Sequence, residues 1–300
     1  MTPDEIEQEI TAIEGDTTLF DERNFERRLE TIDFIGFHLI AGIEELLQTS
    51  ALRDQLMLLK HRVEIASIEL EEFDRRLFEM LREQIRTGES TGQKLRELTG
   101  KYFDLNFGDT LPHEEPGFDA LDIFVNGLLS FMEMPEQTKE LEPEMVFYQK
   151  TPARIVFGLA ERVNITNEDV FFDIGSGLGQ AVILVNLLVG VTAVGIEFEP
   201  AFCKYGEDCA AALNLSNVSF VNTDARKADY SRGTVFFMYT PFSGEMLDEV
   251  LEILRKESLT RKIKIITYGP CSPQVAGQTW LVPGGPTGDN IYKLAEFSSK

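Results

Sequence analysis

The sequence has few cationic residues and no long apolar run. It contains 28 lysine and arginine residues against 51 aspartate and glutamate residues, which gives a formal net charge of −23. Such a surface repels phosphate backbones, so we expect no nucleic-acid partner. No apolar run approaches the ~20 residues that a membrane span needs, and the acidic start of the chain has no signal-peptide pattern. These absences predict a cytoplasmic protein without a membrane partner.

Cysteine and histidine are also scarce. The three cysteines, Cys203, Cys209 and Cys271, are an odd number without ligand-like spacing. We therefore expect no disulfide framework and no metal site, and free thiols are typical of a reducing compartment. All three histidines lie before residue 145. In the remainder of the chain a tyrosine, a carboxylate or water must accept a proton if one has to be moved.

The acidic excess lies mainly in a first half that has a helical pattern. Residues 1–150 hold 34 acidic and 15 basic residues, whereas the remainder holds 17 and 13. Apolar residues at three- and four-residue spacing predict four helices: Glu22–Leu47, Leu52–Ile85, Ser90–Leu98 and Phe118–Met134. We therefore predict a separate all-α N-terminal domain over residues 1–144. Its acidic surface suits solubility, a basic protein partner or a cationic small molecule.

From residue 145 to residue 300 the pattern alternates between strands and helices, after an acidic connector at Glu140–Glu144. Seven strands are predicted: Val170–Asp173, Val191–Ile196, Val218–Val221, Thr234–Met238, Ile263–Thr267, Thr279–Val282 and Ile291–Phe297. Four helices are predicted: Ala153–Val163, Gln180–Leu188, Ala201–Leu213 and Met246–Ser258. Thr151 is expected to cap the first of these helices, and Glu199 to start the third. This order predicts an open α/β sheet.

The most informative stretch is Asp173-Ile-Gly175-Ser-Gly177-Leu-Gly179, which follows a short apolar strand. Glycine lets the backbone turn sharply and approach a ligand closely. The spacing differs from the dinucleotide pattern G-x-G-x-x-G, and residues 170–198 contain no basic side chain that could pair with a phosphate. We therefore favour a ligand with an amino group and ribose hydroxyls, which Asp173 and Glu197 suit. A tight turn without any ligand is the alternative.

This stretch resembles the first motif of the Rossmann-like, seven-strand methyltransferases that use S-adenosyl-L-methionine (SAM). Residues 145–244 are similar to the non-SET histone-lysine methyltransferases, through Phe147-Tyr-Gln-Lys-Thr151, the glycine motif with Gln180, and Gly195-Ile-Glu197. The resemblance implies a seven-stranded methyltransferase sheet and SAM as cofactor. It implies that Glu197 binds the ribose and Asp224 the adenine amino group. The implied cofactor-binding residues are Tyr148, Thr151, Asp173, Gly175, Gly177, Gly179, Gln180, Glu197, Asp224 and Ala225.

The segment after the fourth strand is the candidate catalytic segment, because the same family lines the transferring methyl group there. Its residues are Tyr239, Thr240, Pro241 and Phe242. Aromatic rings can contact a sulfonium through cation–π attraction and can help to hold an acceptor in line. The alternative is an aromatic loop that packs under the sheet edge.

The sequence departs from the family at two places, and these departures limit what the resemblance implies about the substrate. Lys150 stands where the family has a glutamate, and Tyr239-Thr-Pro-Phe-Ser-Gly244 replaces an asparagine-rich segment that shapes the lysine channel. Cofactor binding is therefore implied, and lysine specificity is not.

We predict a SAM-dependent methyltransferase that acts on a protein or small-molecule acceptor, with a protein amine favoured. The alternatives are a non-catalytic SAM-binding or scaffold protein that works through its helical domain, a small-molecule N- or O-methyltransferase, and a nicotinamide-dependent oxidoreductase. The sequence predicts no oligomeric state.

Overall fold

The computed structural model describes residues 1–105, 118–129, 132–285 and 290–300. The chain divides into two compact units. The first unit comprises Met1–Arg82 and Lys101–Phe103, and the second comprises Glu83–Gly100 and Asp104–Lys300. A domain boundary at residue 144 stays a prediction.

The first unit is helical. Its helices are α1 (Pro3–Gly15), α2 (Phe25–Phe34), α3 (Ala41–Thr49) and α4 (Arg53–Arg86), the last of which continues into the second unit. A π-helical stretch, Ile35–Ile40, joins α2 to α3 without a break, so the predicted helix Glu22–Leu47 is confirmed as one long helical segment.

The sequence analysis did not identify α1, although its start carries a recognisable local signal. Thr2 accepts a hydrogen bond from the Glu5 backbone, the Glu5 carboxylate accepts one from the Thr2 backbone, and Pro3 occupies the first helical position. These features form a capping box, which stabilises a helix start by satisfying its free N–H groups.

The second unit is built on a seven-stranded sheet. The strands are β1 (Val170–Ile174), β2 (Thr192–Glu197), β3 (Val218–Asn222), β4 (Val235–Tyr239), β5 (Lys264–Tyr268), β6 (Leu281–Pro283) and β7 (Ala295–Ser299). Their order is β3-β2-β1-β4-β5-β7-β6. The first five strands pair in parallel, and β7 is antiparallel to both β5 and β6. The predicted α/β fold with seven strands is confirmed, with strand ends shifted by one to a few residues.

Helices accompany this sheet in the second unit. They are α5 (Gln93–Thr99), α6 (Ala120–Leu129), α7 (Ala153–Arg162), α8 (Gln180–Val189), α9 (Pro200–Ala212), α10 (Gly244–Ser258) and α11 (Ser272–Ala276). The predicted helix Phe118–Met134 is confirmed only as far as Leu129: residues 130 and 131 lie outside the described part of the chain, and residues 132–134 are not helical.

Burial follows the apolar pattern of the sequence. Every residue of α8 from Gln180 to Leu188 is buried, as expected for a helix that is apolar on all sides. The strand β4 and the first three residues of β1 are continuous apolar runs because helices cover a parallel sheet on both faces. The order of the strands reverses between β1 and β4, and open sheets of this kind bind ligands beyond the carboxyl ends of the strands at such a point.

The start of α7 differs from the expectation. Thr151 does not cap this helix; Pro152 is its N-cap residue, and no side-chain cap from within the segment is present. Instead the Ala153 N–H donates to Asp122 Oδ1 on α6 at 2.7 Å. A carboxylate from a different helix thus satisfies the first free N–H, which local sequence cannot reveal.

Candidate functional site

A cavity of about 750 Å³, counting the part open to solvent, lies at the carboxyl ends of β1, β2, β3 and β4. Its size is in the range of small-molecule and cofactor sites. The predicted site residues that line it are Tyr148, Gly175, Gly177, Glu197, Asp224, Ala225, Tyr239, Thr240, Pro241 and Phe242. The fold therefore gathers residues from five separate parts of the second unit.

A smaller cavity of about 320 Å³ shares some of these walls. The predicted residues that line it are Tyr148, Thr151, Asp173, Gly175, Gln180 and Tyr239. Gly179 lines neither cavity. It has a φ of +82° at the start of α8, and a Cβ there would lie 2.4 Å from the Phe220 ring. Gly179 therefore serves the packing of the turn.

Gly175 and Gly177, the other two glycines of the turn, leave room for side chains from other parts of the unit. At Gly175, with a φ of +78°, an added Cβ would lie 2.3 Å from Pro241 Cβ. At Gly177, with a φ of +52°, it would lie 2.2 Å from the ring of Tyr148. Both positions combine a backbone conformation that favours glycine with a close approach. Tyr148 and Pro241 thus rest directly on the turn.

Glu197 is organised by the same turn. Its Oε2 accepts the Gly177 N–H at 2.7 Å, and its Oε1 accepts the Glu199 N–H at 2.8 Å. The side chain is buried, and burial raises its pKa even though hydrogen bonds from Glu199 and Gly177 act in the opposite direction. The carboxylate at the end of β2 is therefore held in place against the glycine turn.

Asp173 contrasts with Glu197 because no hydrogen bond from the described residues lowers the pKa of its carboxyl. It is 4% exposed. Burial, followed by the nearby charge of Glu197, raises its pKa to about 8. Neighbouring polar atoms lack hydrogen-bond partners among the described residues: Ser176 Oγ and both amide atoms of Gln180 are buried and unpaired. Buried polar groups are normally paired, and unpaired ones at a cavity point to a missing ligand.

Asp224 has a structural role in addition to its place in the cavity wall. It caps the 3₁₀ turn Ala225–Lys227 by accepting the Arg226 N–H at 2.8 Å. Arg226 Nη2 donates to Asp224 Oδ2 at 2.6 Å and to both carboxylate oxygens of Glu142 at 2.9 Å. The hydrogen bond from Arg226 lowers the pKa of Asp224. Adenine binding by Asp224 stays a prediction.

The polar groups that follow β4 are largely used inside the fold. Thr240, with a φ of +43°, donates from Oγ1 to the Tyr268 carbonyl at 3.3 Å and accepts the Cys271 N–H at 3.2 Å. The Pro241 carbonyl accepts the Val146 N–H at 3.2 Å. The Tyr239 ring lies 5.1 Å from the Tyr268 ring. Within the predicted catalytic segment, Tyr239 and Phe242 therefore supply the aromatic wall, and the Thr240 hydroxyl holds the backbone.

Sequence reasoning missed the roof of the large cavity. Residues before, within and after the acidic connector line it: Gln137, Leu141, Met145, Val146, Phe147, Tyr148 and Gln149. Met145 pairs with Phe242 in an isolated antiparallel bridge. The hydrogen bonds of this segment to Glu199, Arg226 and Glu245 span 61, 84 and 101 positions, so no local pattern could identify it beyond the resemblance already noted at Tyr148.

Lys150, which stands where the family has a glutamate, lines the small cavity. Its ammonium donates to Asn126 Oδ1 on α6, and burial lowers its pKa. Lys150 therefore ties the segment before α7 to α6.

Within the described residues, none of the helices has the length and apolar character needed to cross a membrane. In the same part of the chain, no group of three or more histidine, cysteine or acidic side chains is arranged to hold a metal ion. The three cysteines are buried free thiols.

Comparison with solved structures finds similar chains at low identity. An RNA methyltransferase from Salinibacter ruber in complex with S-adenosyl-L-homocysteine is 22% identical, with a TM-score of 0.39, over 50% of this chain and 92% of that one. A precorrin-6y C5,15-methyltransferase from Geobacter metallireducens is 16% identical, with a TM-score of 0.37, over 50% and 89%. A SAM-dependent methyltransferase from Aquifex aeolicus is 17% identical, with a TM-score of 0.36, over 48% and 87%.

No curated protein matches the chain in a comparison of sequences. Residues 143–236, about a third of the chain, match the family model for histone methylation protein DOT1. The matched range contains the glycine turn, Glu197 and Asp224. The resemblance to the non-SET histone methyltransferases that the sequence indicates around residues 145–244 is confirmed by this match over residues 143–236.

Proposed function

We propose that this protein is a SAM-dependent methyltransferase. The observation that carries the proposal is the group of buried, unpartnered polar atoms at Ser176 and Gln180, beside the buried carboxyl of Asp173 and next to the strands β1 and β2. The family match over residues 143–236 supports the same chemistry independently.

The residues present fit the chemical groups of SAM. The small cavity offers the Asp173 carboxyl to an ammonium group, and it offers the Ser176 hydroxyl and the Gln180 amide to an adjacent carboxylate. The large cavity offers Glu197 to ribose hydroxyls and Asp224 to an amino group on a base. An amino acid joined to a nucleoside has these groups at its two ends. Tyr148, Gly175 and Tyr239 line both cavities and mark where the two parts would join.

When bound, SAM supplies a methyl group that is activated by a neighbouring sulfonium. The chain itself binds and orients SAM and the acceptor, and it excludes water from the site. The aromatic rings of Tyr239 and Phe242 and the side chain of Met246 form an apolar wall at the β4 end of the cavity, which keeps water from competing with an acceptor. Alignment of an acceptor with the methyl carbon provides most of the rate gain in such a site.

We propose a protein amine as the acceptor, because the matched family methylates histones. The Tyr239 hydroxyl is the group in the apolar wall that can orient such an amine. We retain a cytoplasmic location as part of the proposal because the three cysteines are free thiols.

One observation favours a second candidate, a SAM-binding protein without turnover. The Thr240 hydroxyl and the Pro241 carbonyl are the polar groups that follow β4, and both are engaged within the fold. Neither is free to align an acceptor while those bonds persist. A protein that binds SAM and acts through its helical unit accounts for this arrangement.

Two measurements on the full chain separate these candidates. Calorimetry with SAM and with S-adenosyl-L-homocysteine tests for binding, and transfer of a tritiated methyl group to cell lysate tests for turnover. We expect both ligands to bind and one labelled product to form, which mass spectrometry then identifies. Binding without any labelled product would select the second candidate, and no binding of either ligand would reject both.

A further inference from the structure

A strap, defined here as residues 137–148, forms one wall of the large cavity. Its residues Gln137, Leu141, Met145, Val146, Phe147 and Tyr148 line that cavity, as does Glu197. A ligand that occupies the cavity therefore lies against the strap. The two halves of the strap are attached to the rest of the second unit by different kinds of contact.

Backbone pairing holds the second half of the strap. The Val146 N–H donates to the Pro241 carbonyl at 3.2 Å, and the Ser243 N–H donates to the Glu144 carbonyl at 3.0 Å. The Glu144 carboxylate also accepts the first free N–H groups of α10, from Glu245 at 3.1 Å and Met246 at 2.7 Å. Backbone and side chain together fix this half to the β4–α10 turn.

Side chains alone hold the first half of the strap among the described contacts. The Glu199 carboxylate accepts four hydrogen bonds: from the Thr138 and Lys139 N–H groups at 2.8 Å, from Thr138 Oγ1 at 2.6 Å and from the Ala201 N–H at 3.0 Å. Lys139 Nζ donates to the Phe198 carbonyl at 2.8 Å. Arg226 adds the bond to Glu142, whose side chain is 44% exposed.

Glu199 is the strongest of these anchors. It is 3% exposed. Burial raises its pKa, but the hydrogen bonds from Thr138, Ala201 and Lys139 outweigh burial and hold the pKa at about 2. Its own backbone N–H donates to Glu197, so the anchor and the predicted ribose-binding acid are joined directly.

We propose that Glu199 is a positioning residue that holds the first half of the strap closed over the Glu197 end of the cavity, and that release of this anchor admits and releases the ligand. Residues 144–148 stay attached during this movement and act as its fixed end. The proposal rests on the proposed function for the identity of the ligand and on the contacts above for the movement.

Glu199→Ser tests the anchor without removing the start of α9. Serine is a preferred N-cap residue and can still cap α9, but it is too short to reach Thr138. Glu142→Gln is the matched control, because it removes an exposed ion pair from the same half of the strap, and such pairs contribute little. Glu142→Gln should keep the melting temperature of the unmodified protein, and Glu199→Ser should lower it, because the Glu199 carboxylate accepts four hydrogen bonds in the folded state.

The first readout is hydrogen exchange of the ligand-free full chain, followed by mass spectrometry. Peptides that contain Thr138 and Lys139 should exchange at least ~10-fold faster in Glu199→Ser, because charge-assisted hydrogen bonds are the stronger ones. Glu142→Gln should change the exchange rates of the same peptides by less than ~3-fold. Unchanged exchange in Glu199→Ser would overturn the proposal.

The second readout measures access to the cavity and needs no SAM. A thiol introduced by Ala225→Cys lies in the cavity wall, and its reaction with a bulky maleimide should be at least ~10-fold faster when Glu199→Ser is added. Equal labelling rates would reject the gating role even if exchange of the strap had increased.

S-adenosyl-L-homocysteine is the third probe. Its release, measured by stopped flow, should be faster in Glu199→Ser. A failure of this compound to bind the unmodified protein would count against the proposed function alone, since maleimide labelling decides the role of the strap independently.

Discussion

One buried polar side chain of the helical unit and one buried polar cluster of the sheet unit differ in their partners. In the helical unit, the Arg28 side chain is fully buried; its Nε and Nη1 donate hydrogen bonds, and its Nη2 makes no hydrogen bond but lies 2.7 Å from Asp74 Oδ1 in an ion pair. In the sheet unit, Ser176 Oγ and the amide atoms of Gln180 are buried beside the Asp173 carboxyl, at a cavity, without a hydrogen-bond partner among the described residues. Burial without partners is unfavourable, so its persistence needs a reason other than stability.

Arg28 shows what a structural buried charge looks like in this protein. Its guanidinium pairs with Asp74 at 2.7 Å and donates from Nη1 to the carbonyls of Leu19 at 2.8 Å and Asp21 at 2.6 Å. It also lies over the Phe73 ring, 4.6 Å from its centroid. These contacts join α2, α4 and the turns after α1. The comparison suggests that partners distinguish polar groups that serve the fold from polar groups that await a ligand.

The largest effect is expected from Arg28→Met. This change leaves Asp74 and two carbonyl groups without their partner, and breaking a buried pair in this way costs about 3–5 kcal/mol. Urea unfolding followed by circular dichroism would measure the loss. Arg27→Met is the control: Arg27 is exposed and pairs with Asp16, so its loss should cost about 1 kcal/mol or less. Equal losses in the two variants would remove the distinction drawn for Arg28.

Asp173→Asn should show the reverse pattern, with loss of ligand binding and a gain in stability. An amide cannot pair with an ammonium as a carboxylate does, so affinity for S-adenosyl-L-homocysteine should fall by roughly 1.5–3 kcal/mol. The free energy of unfolding at pH 7 should rise, because the pKa of Asp173 is raised to about 8 in the folded state, so folding requires this carboxyl to take up a proton, and asparagine does not have that cost. Calorimetry and urea unfolding on the same preparation test both parts. Intact affinity with reduced stability would place Asp173 with Arg28 as a structural residue.

The pH dependence of ligand binding tests whether Asp173 ionises when the ligand binds. In the empty site the pKa of Asp173 is raised to about 8, whereas an ammonium ligand requires the ionised carboxylate. Binding below pH 8 must therefore release a proton, and affinity should rise by up to about tenfold per pH unit between pH 6 and pH 7. Calorimetry in buffers of different ionisation enthalpy counts the protons. Asp173→Asn should lose this proton release, and its persistence there would assign the release to another group.

The smallest effect is expected from Tyr239→Phe. If the hydroxyl orients the acceptor, its removal should lower kcat by a factor that corresponds to about 0.5–1.5 kcal/mol, the net value of one hydrogen bond. Affinity for S-adenosyl-L-homocysteine should stay unchanged. Steady-state kinetics and calorimetry measure the two quantities, and identical kinetics would make Tyr239 a packing residue of the aromatic wall.

Local patterns were sufficient for most of the sheet. Apolar runs such as residues 170–172 and Val235–Tyr239 form strands because both faces of the sheet are covered, and the glycine turn with Glu197 was recognisable by its spacing. The same local signals marked Glu199 correctly as the N-cap of α9. Helical periodicity identified α2, α3 and α4 but not Arg28, whose burial interrupts the apolar stripe.

Long-range contacts account for the features that the sequence did not predict. The Asp122 cap of α7, the Arg226 bond that links Asp224 to Glu142, and the inward hydroxyl of Thr240 all join residues that are far apart in the chain or depend on a backbone turn. Glu140–Glu144 was predicted to be a connector because an acidic composition is typical of a solvated segment. Contacts with residues that follow β2, with residues that follow β4 and with the start of α10 make residues 137–148 a wall of the cavity instead.

The sequence by itself determined the secondary structure of the sheet unit, the glycine turn and the two acids that flank it, because strand runs and turn residues act over a few neighbouring positions. Only the tertiary structure decided which polar groups have partners. Hydrogen bonds from Thr138 to Glu199 and from Arg226 to Glu142 form after the chain has brought distant segments together, and the same packing leaves the polar atoms of Ser176 and Gln180 at a cavity without hydrogen-bond partners among the described residues.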